Sequence, residues 1–597
     1  MKFAFRGLLF LIALAAACAH AQTIKPGTFK HIIFVIQENR TPDNLFGANP
    51  SHTGPCGTED PFVPGVDIEN GGYGYVPQPS RPPQLQLICN TSLPLSSWDP
   101  NLPTPGSVDP NHTHDTPPPG QSVGGWVADF DGGNQDGFCY EYSNYTVYGS
   151  TCPSYSYVQR SDVQPYFDIA TDYGFANYMF QTNEGPSFEA HQFLFTGTSA
   201  PVAPQNNSYL DFVAENPNFS DSGCGEGFQS NGWPAWVDPT GTESHVSWWE
   251  CYTHDSLVTD VADCNNQNDG RDYCDRGIAG LPHNAGWAYY TPTPEIIWNA
   301  PAGIPEVCYG ENDTANSGQG CGPGSKNPTS REWADHIRLP DQNNYSDAPI
   351  FDDLYNCSKP LAAISWVIPD FVWSDHPQGW TTNQGTVLGP DWVGDIVNAV
   401  GQACNGKYWI TEPTAIFIVW DDWGGWFDHV APIAALQENP HTGYTKCDPS
   451  SQWGCGYTSG FRVPLLVVSP YTGTYQNGTY SGYVSGACGA SPLPACPNKV
   501  PPYMHDFGSI LRFTEYNFTM PQIAPPAYAD ANAPDLQPPG NIPLSDFFPL
   551  PVNQPRPFVP ISIPQQYNYT CFQHFAKCTG IAEYVPTGPD DDNAADQ

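Results

Sequence analysis

A hydrophobic run that ends in two adjacent carboxylates constrains this chain more than any other stretch. Residues 415–420 are apolar, and Asp421 and Asp422 follow them directly, ahead of the pair Gly424 and Gly425. The run predicts a buried parallel strand, and the glycines allow a sharp turn after it. In open α/β sheets, ligands bind beyond the carboxyl ends of strands. Neighbouring acids repel each other unless a cation or a shared proton is present. The stretch therefore indicates either a cation site or a solvated turn that caps a helix.

A second run of strand type also ends in polar residues. Residues 30–36 are mostly β-branched or aromatic, and Glu38, Asn39 and Arg40 come shortly after them. A carboxylate and a carboxamide side by side offer oxygen ligands to a hard cation. On this stretch alone, the simpler interpretation is a turn in which Arg40 forms a local ion pair.

Two further runs, residues 362–368 and 462–469, also predict strands. His376 follows the first of them, so a histidine again lies just beyond a predicted strand end. A short helix is predicted over 394–400. A second helix is predicted over 505–516, where apolar residues recur at helical spacing.

Ser187 begins another helical pattern. It precedes a predicted helix over 188–196, and Gly197 ends that helix. Most serines in this position only cap the helix. The N-terminus of a helix also binds phosphate, which is the functional alternative. The string G-Q-S-V-G at 120–124 matches G-x-S-x-G, but it lies in a Pro- and Gly-rich stretch instead of after a predicted strand, so a lipase-type hydrolase is not indicated. The chain contains no P-loop or dinucleotide fingerprint, so a nucleotide-binding fold is not indicated either.

The charge of the chain limits its partners. The formal net charge is −41 at pH 7. A field of that sign repels polyanions, so neither nucleic acid nor an anionic membrane surface is expected as a partner. The 65 prolines and 56 glycines predict many loops, while aromatic residues make up 14% of the chain and supply a core. We therefore expect one large globular domain with insertions.

The start of the chain resembles an export signal. Within residues 1–21, two cations precede an apolar run, and A-H-A at 19–21 fits a cleavage site. This predicts a secreted or periplasmic protein. Cys18 follows three alanines, so a lipid anchor there is a minor alternative. No later run approaches the roughly 20 apolar residues that a transmembrane helix needs.

The cysteines predict disulfides. Removal of residues 1–21 would leave an even number of the 19 cysteines, as is usual for exported proteins with disulfides. Six of them lie within 200–345, which has little strand signal and is predicted to be a disulfide-rich loop insertion. The main domain would then cover 22–548, and a Pro-rich tail 549–597. The sequence does not determine the pairing, and the short-range candidates are Cys264 with Cys274, Cys447 with Cys455, Cys488 with Cys496, and Cys571 with Cys578.

An ordered set of motifs runs from about residue 30 to residue 548. They are H-I-I-F-V-I-Q-E-N-R-T-P-D-N-L-F-G at 31–47, N-H-T-H at 111–114, G-G-N-Q-D-G-F at 132–138, E-G-P-S-F-E-A-H-Q-F-L-F-T-G at 184–197, S-W-V-I-P-D and S-D-H-P within 365–377, W-D-D-W-G-G-W-F-D-H-V at 420–430, G-F-R-V-P-L-L-V-V-S-P-Y at 460–471, and H-D-F-G-S-I-L-R-F-T-E at 505–515. Together they resemble the bacterial phosphoesterase family that contains phospholipases C and certain acid phosphatases. The resemblance implies an α/β, alkaline-phosphatase-like fold. Its central, mostly parallel sheet would be flanked by helices, with the Cys-rich loop insertion added.

The resemblance also implies a metal-dependent reaction at a serine. Ser187 would be the nucleophile, where some members of the family have Thr. A divalent cation would lower the pKa of that hydroxyl and neutralise phosphate charge. An all-oxygen donor set favours Mg²⁺, Ca²⁺, Mn²⁺ or iron over Zn²⁺. The residues implied as metal ligands are Glu38, Asn39, Ser187, Asp421 and Asp422.

Several histidines match positions that contact substrate in that family. His112 and His376 match histidines that contact the phosphate or protonate the leaving group, and His114 is the alternative match to His112. His191 and Asn39 are further candidates for substrate binding. His191 belongs to the pair H-Q, which stands where many phospholipases have Asn-Arg. This chain therefore lacks a possible phosphate-binding cation.

The function that the resemblance implies is that of a secreted, metal-dependent phosphoesterase. The expected type is a phospholipase C that acts on a phosphate ester, with a phospholipid head group as the candidate substrate. An acid phosphatase that acts on phosphomonoesters is the alternative within the family. A non-catalytic secreted binding protein on the same scaffold is the alternative of another class, and the complete set of implied ligands argues against it. Nothing in the sequence indicates an oligomeric state.

Tryptophans near the implied site bear on the substrate. Aromatic faces beside carboxylates suit a quaternary ammonium group, at roughly 0.5 to 2 kcal/mol per cation–π contact. This favours a phosphocholine diester. The alternative is that the rings only pack the core beside the strands. The residues concerned are Trp366, Trp373, Trp380, Trp423 and Trp426.

Overall fold

A computed structural model of the chain describes the central sheet and most of what packs against it. Residues 1–21 lie outside the described part, as do three of the four short-range cysteine pairs predicted above. The residues described are 24–47, 66–68, 157–185, 187–200, 254–259, 286–293, 297–308, 331–340, 347–370, 372–376, 388–432, 459–486, 504–523, 528–536, 541–563 and 568–574, together with short strands and single positions between these ranges.

Eight strands form the central sheet, and all but one of them run in the same direction. In chain order they are β1 (His31–Gln37), β2 (Gly174–Ala176), β3 (Trp287–Tyr290), β4 (Ile337–Arg338), β5 (Ile364–Val367), β6 (Thr414–Trp420), β7 (Leu465–Val468) and β8 (Tyr483–Ser485). Across the sheet the order is β4-β3-β5-β1-β6-β7-β2-β8. Only β7 is antiparallel to its neighbours. The predicted α/β class with a mostly parallel sheet is therefore confirmed.

The four strands predicted from hydrophobic runs are all present. β1 and β6 begin and end within one residue of the predicted bounds, and they pair in parallel along their whole length. β7 begins only at Leu465, three residues after the start of its predicted run. Pro464 lacks the N–H that a strand residue contributes to the ladder, which explains the later start.

Helices pack around this sheet. They are α1 (Pro42–Phe46), α2 (Gln164–Asp172), α3 (Ser187–Thr196), α4 (Pro305–Cys308), α5 (Arg331–His336), α6 (Ile350–Tyr355), α7 (Leu388–Gly406), α8 (Phe507–Phe518), α9 (Ala529–Asn532) and α10 (Tyr569–Gln573). None of the helices described is long and apolar enough to cross a membrane.

Two of the predicted helices have different bounds in the structure. α7 extends well beyond the predicted 394–400. The prediction was too short because glycines and a proline interrupt the helical pattern of the sequence in the first half of α7. α8 begins two residues later than predicted. The carboxylate of Asp506 caps it by accepting the N–H of Ser509 at 3.0 Å.

The stretch 200–345 contributes to the sheet, which the sequence did not predict. β3 and β4 both come from it, and they pair at the edge beyond β5. They contain four and two residues, too few for a periodic pattern to be recognised. The domain boundaries proposed from composition stay a prediction.

Residues of the Pro-rich segment also contact the body of the protein. The side-chain amide of Asn398 in α7 binds the backbone N–H and carbonyl of Ile561 at 2.9 and 3.0 Å. Cys571 is disulfide-bonded, and its predicted partner Cys578 lies outside the described residues. A disulfide between Cys357 and Cys404, which was not predicted, joins the end of α6 to the end of α7.

Candidate functional site

The carboxyl ends of β1 and β6 lie side by side. The two strands are in parallel register through their last residues. Glu38 and Asn39 therefore leave the sheet next to Asp421 and Asp422. The N–H of Asp421 donates to the carbonyl of Gln37 at 3.0 Å, which extends the ladder one residue beyond β6. The edge of the sheet thus brings two predicted ligand pairs together.

A tight turn fixes these four side chains. Asn39 has a positive φ of 61°, a conformation that asparagine tolerates better than most residues. Its backbone N–H donates to Asp421 Oδ1 at 2.9 Å, and its side-chain amide donates to Asp422 Oδ1 at 2.9 Å. A Cβ on Gly424 would lie 2.3 Å from the carbonyl oxygen of Asn39. Only glycine therefore allows this approach of the two loops.

Helix α3 places Ser187 against the two strand ends. Ser187 is the first residue of the helix instead of a flanking cap. Its Oγ lies 3.2 Å from Asp422 Oδ2 and 3.3 Å from Glu38 Oε2. One turn later, His191 Nε2 lies 3.0 Å from Glu38 Oε1 and 3.8 Å from Asp421 Oδ2. Predicted site residues that are up to 384 positions apart in the sequence thus lie close together in the structure.

The site is closed to solvent. Ser187 is 1% exposed and the four residues at the strand ends are 0% exposed. Burial raises the pKa of Asp422 well above its ordinary value, and the neighbouring Asp421 carboxylate is the second cause of this increase. Crowded carboxylates of this kind are stabilised by a bound cation or by a proton.

Unpartnered oxygen atoms at the site fit a cation. Asn39 Oδ1 and Asp421 Oδ2 are buried, and within the described part of the chain neither has a hydrogen-bond partner. A buried acceptor without a partner is destabilising by about 1–3 kcal/mol. Ligand atoms of Glu38, His191 and Asp421 lie within 4.8 Å of one another, as the ligands of one ion do. Carboxylate, carboxamide and hydroxyl oxygens are typical ligands of hard divalent cations.

His376 lies next to this cluster on a loop that is tied to β1. Arg40 Nε donates to the carbonyl of Asp375 at 2.8 Å, and the N–H of Asp375 donates to Gln37 Oε1 at 2.9 Å. Burial lowers the pKa of His376 to about 3, although the Asp421 carboxylate acts in the opposite direction. The His376 ring is therefore neutral near pH 7 in the absence of substrate.

The remaining predicted residues either lie outside the described part of the chain or lie in the interior. His112, His114 and Trp380 lie outside the described residues. Trp366 stacks on Phe34 in the core with ring centroids 5.1 Å apart. The described tryptophans from the prediction, none more than 2% exposed, are Trp366, Trp373, Trp423 and Trp426.

A second group of charges, mostly buried, surrounds Asp428 and His429 of the loop that follows β6, and the sequence reasoning missed it. Arg462 donates to both oxygens of Asp428, at 2.8 and 2.9 Å, and to Asp43 at 3.2 Å. His429 Nδ1 lies 2.8 Å from Asp43, and its Nε2 lies 3.0 Å from Asp67. We call these five residues the salt-bridge cluster.

The acids of the salt-bridge cluster are paired within the cluster, three carboxylates with two cationic side chains. Both nitrogens of His429 face carboxylates, which raise its pKa well above the ordinary value in spite of burial. Asp43, Asp428 and His429 satisfy the spacing of a metal site. Their ligand atoms are already engaged by each other and by Arg462, so an ion would have to displace a buried guanidinium. The motifs F-D-H-V and G-F-R-V contain three of these residues, but sequence does not show which charges pair.

Comparisons with known proteins point to one family. A model of the Phosphoesterase family matches residues 29–521. Phospholipase C B of Mycobacterium tuberculosis is 36% identical over 117 residues, which are 19% of this chain and 21% of the relative. Non-hemolytic phospholipase C of Burkholderia pseudomallei is 33% identical over 132 residues, which are 21% of this chain and 18% of the relative.

A third relative is the non-hemolytic phospholipase C of Pseudomonas aeruginosa. It is 30% identical over 127 residues, which are 19% of this chain and 17% of the relative. The chain therefore spans about a fifth of the length of each of these curated relatives.

Proposed function

Since the chain belongs to the Phosphoesterase family, we propose that it is a metal-dependent phosphoesterase that uses Ser187 as its nucleophile. One observation carries this proposal. The Ser187 hydroxyl lies within 3.3 Å of carboxylates from two strand ends, in a buried cluster where two oxygens have no hydrogen-bond partner among the described residues. A serine that only caps a helix needs no such surroundings.

The reaction follows from this placement. A bound divalent cation would neutralise phosphate charge and lower the pKa of the serine hydroxyl. Ser187 Oγ attacks phosphorus, and the bond from phosphorus to the alcohol oxygen breaks. The hydroxyl proton faces Glu38 and Asp422, either of which can accept it. Water then hydrolyses the phosphoserine and restores the hydroxyl. Glu38, Asn39, Asp421 and Asp422 would hold the cation together with Ser187.

His376 is the described candidate for protonating the leaving alcohol. Its ring is neutral without substrate, so it must gain a proton before it can act as an acid. A phosphate anion bound beside the ring favours that gain, because an opposite charge nearby raises the pKa of an imidazole. His112 and His114 are the remaining candidates for this role.

The names of the relatives favour a phospholipase C over an acid phosphatase. A phosphodiester with a lipid head group is therefore the proposed substrate class. The described tryptophans lie in the interior and add nothing to a preference for choline. Export is part of the proposal and rests on the signal-like residues 1–21. An alkaline-phosphatase-like fold is part of it as well, and the mostly parallel sheet supports that assignment.

A substrate panel tests the proposal. p-Nitrophenyl phosphorylcholine and p-nitrophenyl phosphate are assayed from acid to neutral pH, with chelator, and after Mg²⁺, Ca²⁺, Mn²⁺ or Fe²⁺ is restored. We expect hydrolysis that chelator abolishes and one of these ions restores, with the diester preferred. A monoester preference of about tenfold (1.4 kcal/mol) or more assigns the protein to the acid-phosphatase branch. Hydrolysis that is unaffected by complete removal of metal contradicts the proposal.

A further inference from the structure

His191 lies on the face of α3 that meets the carboxylate cluster. Ser187 and His191 are four residues apart, so their side chains lie one turn apart on the same face. Both contact one carboxylate. Ser187 Oγ lies 3.3 Å from Glu38 Oε2, and His191 Nε2 lies 3.0 Å from Glu38 Oε1. Two successive turns of the helix thus hold the two oxygens of Glu38.

The contacts of the His191 ring indicate where its proton is. The ring is 0% exposed, and Nδ1 has no hydrogen-bond partner among the residues that the structure describes. A proton on Nδ1 would leave a buried N–H unsatisfied and would turn the Nε2 lone pair towards a carboxylate. A proton on Nε2 instead gives a normal hydrogen bond to Glu38. The neutral tautomer with Nε2–H therefore fits the structure.

This tautomer bears on which of two roles His191 has, a metal ligand or a hydrogen-bond donor to Glu38. Its Nε2 is close enough to Glu38 and Asp421 to join them around one ion. A ligating Nε2 would need its lone pair free and its proton on Nδ1. Histidines that bind metals almost always donate that second N–H to an acceptor, and the described surroundings of Nδ1 contain none. The geometry favours a donor to Glu38 over a metal ligand.

We infer that His191 is a positioning residue that donates Nε2–H to Glu38 Oε1 and so directs Oε2 towards Ser187 and the cation. This rests on the proposed metal-dependent function. Without that donor, Glu38 Oε1 loses its 3.0 Å contact with His191, and the orientation of the carboxylate relative to Ser187 is less restrained. His191 thus orients a metal ligand and does not contact substrate. Substrate contact is the role that the resemblance suggested for it.

Substitutions at position 191 test this inference through metal binding. His191→Leu removes the donor, and His191→Asn keeps a polar group that is too short to reach Glu38. His191→Gln places an amide N–H near the position of Nε2. Gln192→Met is the matched control, because the Gln192 amide on the same helix donates to the carbonyl of Ala300 at 3.2 Å, away from the cluster.

Titration of the full chain with Mn²⁺, followed by electron paramagnetic resonance, gives the dissociation constant of each variant. Thermal unfolding of the metal-free proteins shows which variants fold. We expect His191→Leu and His191→Asn to bind Mn²⁺ about 10–100-fold more weakly. His191→Gln should recover most of the affinity, and Gln192→Met should stay within about twofold of the unsubstituted protein, since that contact lies outside the outer hydrogen bonds of the ligands.

Three results would overturn the inference. Affinity that His191→Asn leaves unchanged would show that the donor does not position Glu38. A directly coordinated nitrogen in the pulsed spectrum of the Mn²⁺-loaded unsubstituted protein, absent from His191→Gln, would make His191 a ligand. An unsubstituted protein that binds no divalent cation would remove the proposed function and this inference with it. Only the last result concerns the proposed function, so the two failures are distinguishable.

Discussion

Two clusters of acids meet at the loop that follows β6, and they balance their charges differently. At the strand ends, Glu38 and Asp422 contact the hydroxyl of Ser187, Asp421 lies beside Asp422, and two oxygens of the site have no hydrogen-bond partner in the described chain. A few residues further on, the salt-bridge cluster pairs its three aspartates with Arg462 and His429. Each acid of the salt-bridge cluster faces Arg462 or His429, whereas Asp421 Oδ2 at the strand ends has no hydrogen-bond partner among the described residues.

The difference teaches how to separate a structural acid from a ligand. Burial alone does not do so, because both clusters contain buried aspartates, Asp421 and Asp422 in one and Asp43 and Asp428 in the other. The spacing of ligand atoms does not do so either, since both satisfy the geometry of a metal site. The deciding property is whether each charged atom already has a partner of opposite charge. By that criterion the salt-bridge cluster holds the loop in place, and the cluster at the strand ends is the one that we propose to bind a cation.

The largest expected effect is on the reaction. Ser187→Ala removes the nucleophile and leaves the carboxylates and Asn39 to hold the cation. We expect turnover to fall by about 10⁴-fold or more, with metal content within about twofold of the unsubstituted protein. Turnover on the preferred ester and metal content by mass spectrometry are measured on the same preparation. Unchanged turnover would mean that a water molecule, and not Ser187, attacks the phosphorus.

The salt-bridge cluster should respond through stability. Arg462→Met leaves Asp428 buried without its main partner and Asp43 with His429 alone, and we expect the free energy of unfolding to fall by about 3–5 kcal/mol. Arg338→Met is the control, because Arg338 and Asp353 form a partly exposed pair at 3.9 Å that should contribute under about 1 kcal/mol. Denaturant unfolding in the presence of chelator measures both. An equal loss in the two variants would mean that the buried network contributes no more than a surface ion pair.

The central strands show why much of the fold was predictable. Central strands buried on both faces are apolar throughout, so they are recognisable in the sequence as hydrophobic runs. This holds for β1, β5, β6 and β7. β3 and β4 are short strands near one edge of the sheet that carry no such pattern, and composition suggested that their stretch consists of loops. Strands of two to four residues are fixed by the neighbours they pair with, and the local sequence alone does not specify them.

The candidate site divides in the same way. Glu38, Asn39, Asp421 and Asp422 were predictable, since each follows a recognisable strand and parallel strands end at one edge. The place of Ser187 beside them depended on the family motif, because nothing in its local sequence separates it from an ordinary cap. The salt-bridge cluster could not be derived, because its pairs join residues 34 and 419 positions apart. The contact from His191 to Glu38 was missed for the same reason, since it spans 153 positions.

Metal binding should stabilise the protein only through the cluster at the strand ends. At a free Mn²⁺ concentration of 100 times the dissociation constant, the expected gain is about 2.7 kcal/mol. Arg462→Met should keep this increment on top of its own loss, whereas Asp421→Ala should lose the increment, the bound metal and the activity together. Denaturant unfolding with and without Mn²⁺ measures the increment. A gain that Asp421→Ala retains would place the ion elsewhere.

The smallest effect is a pH dependence confined to the metal-free protein. Folding raises the pKa of Asp422 well above its ordinary value of 3.8, so the folded state binds a proton that the unfolded state releases. Stability therefore falls as the pH rises from that ordinary value through the raised pKa, by up to about 1.4 kcal/mol per pH unit for one proton.

Asp422→Asn removes this contribution and should flatten the slope of stability against pH between pH 5 and pH 8. Other buried carboxyls, such as Asp370 with a pKa raised to about 7, are present in both proteins and cancel in the comparison. Saturating Mn²⁺ should also reduce the slope of the unsubstituted protein, because the ion keeps Asp422 ionised. Equal slopes for Asp422→Asn and the unsubstituted protein in chelator would show that Asp422 does not bind a proton on folding.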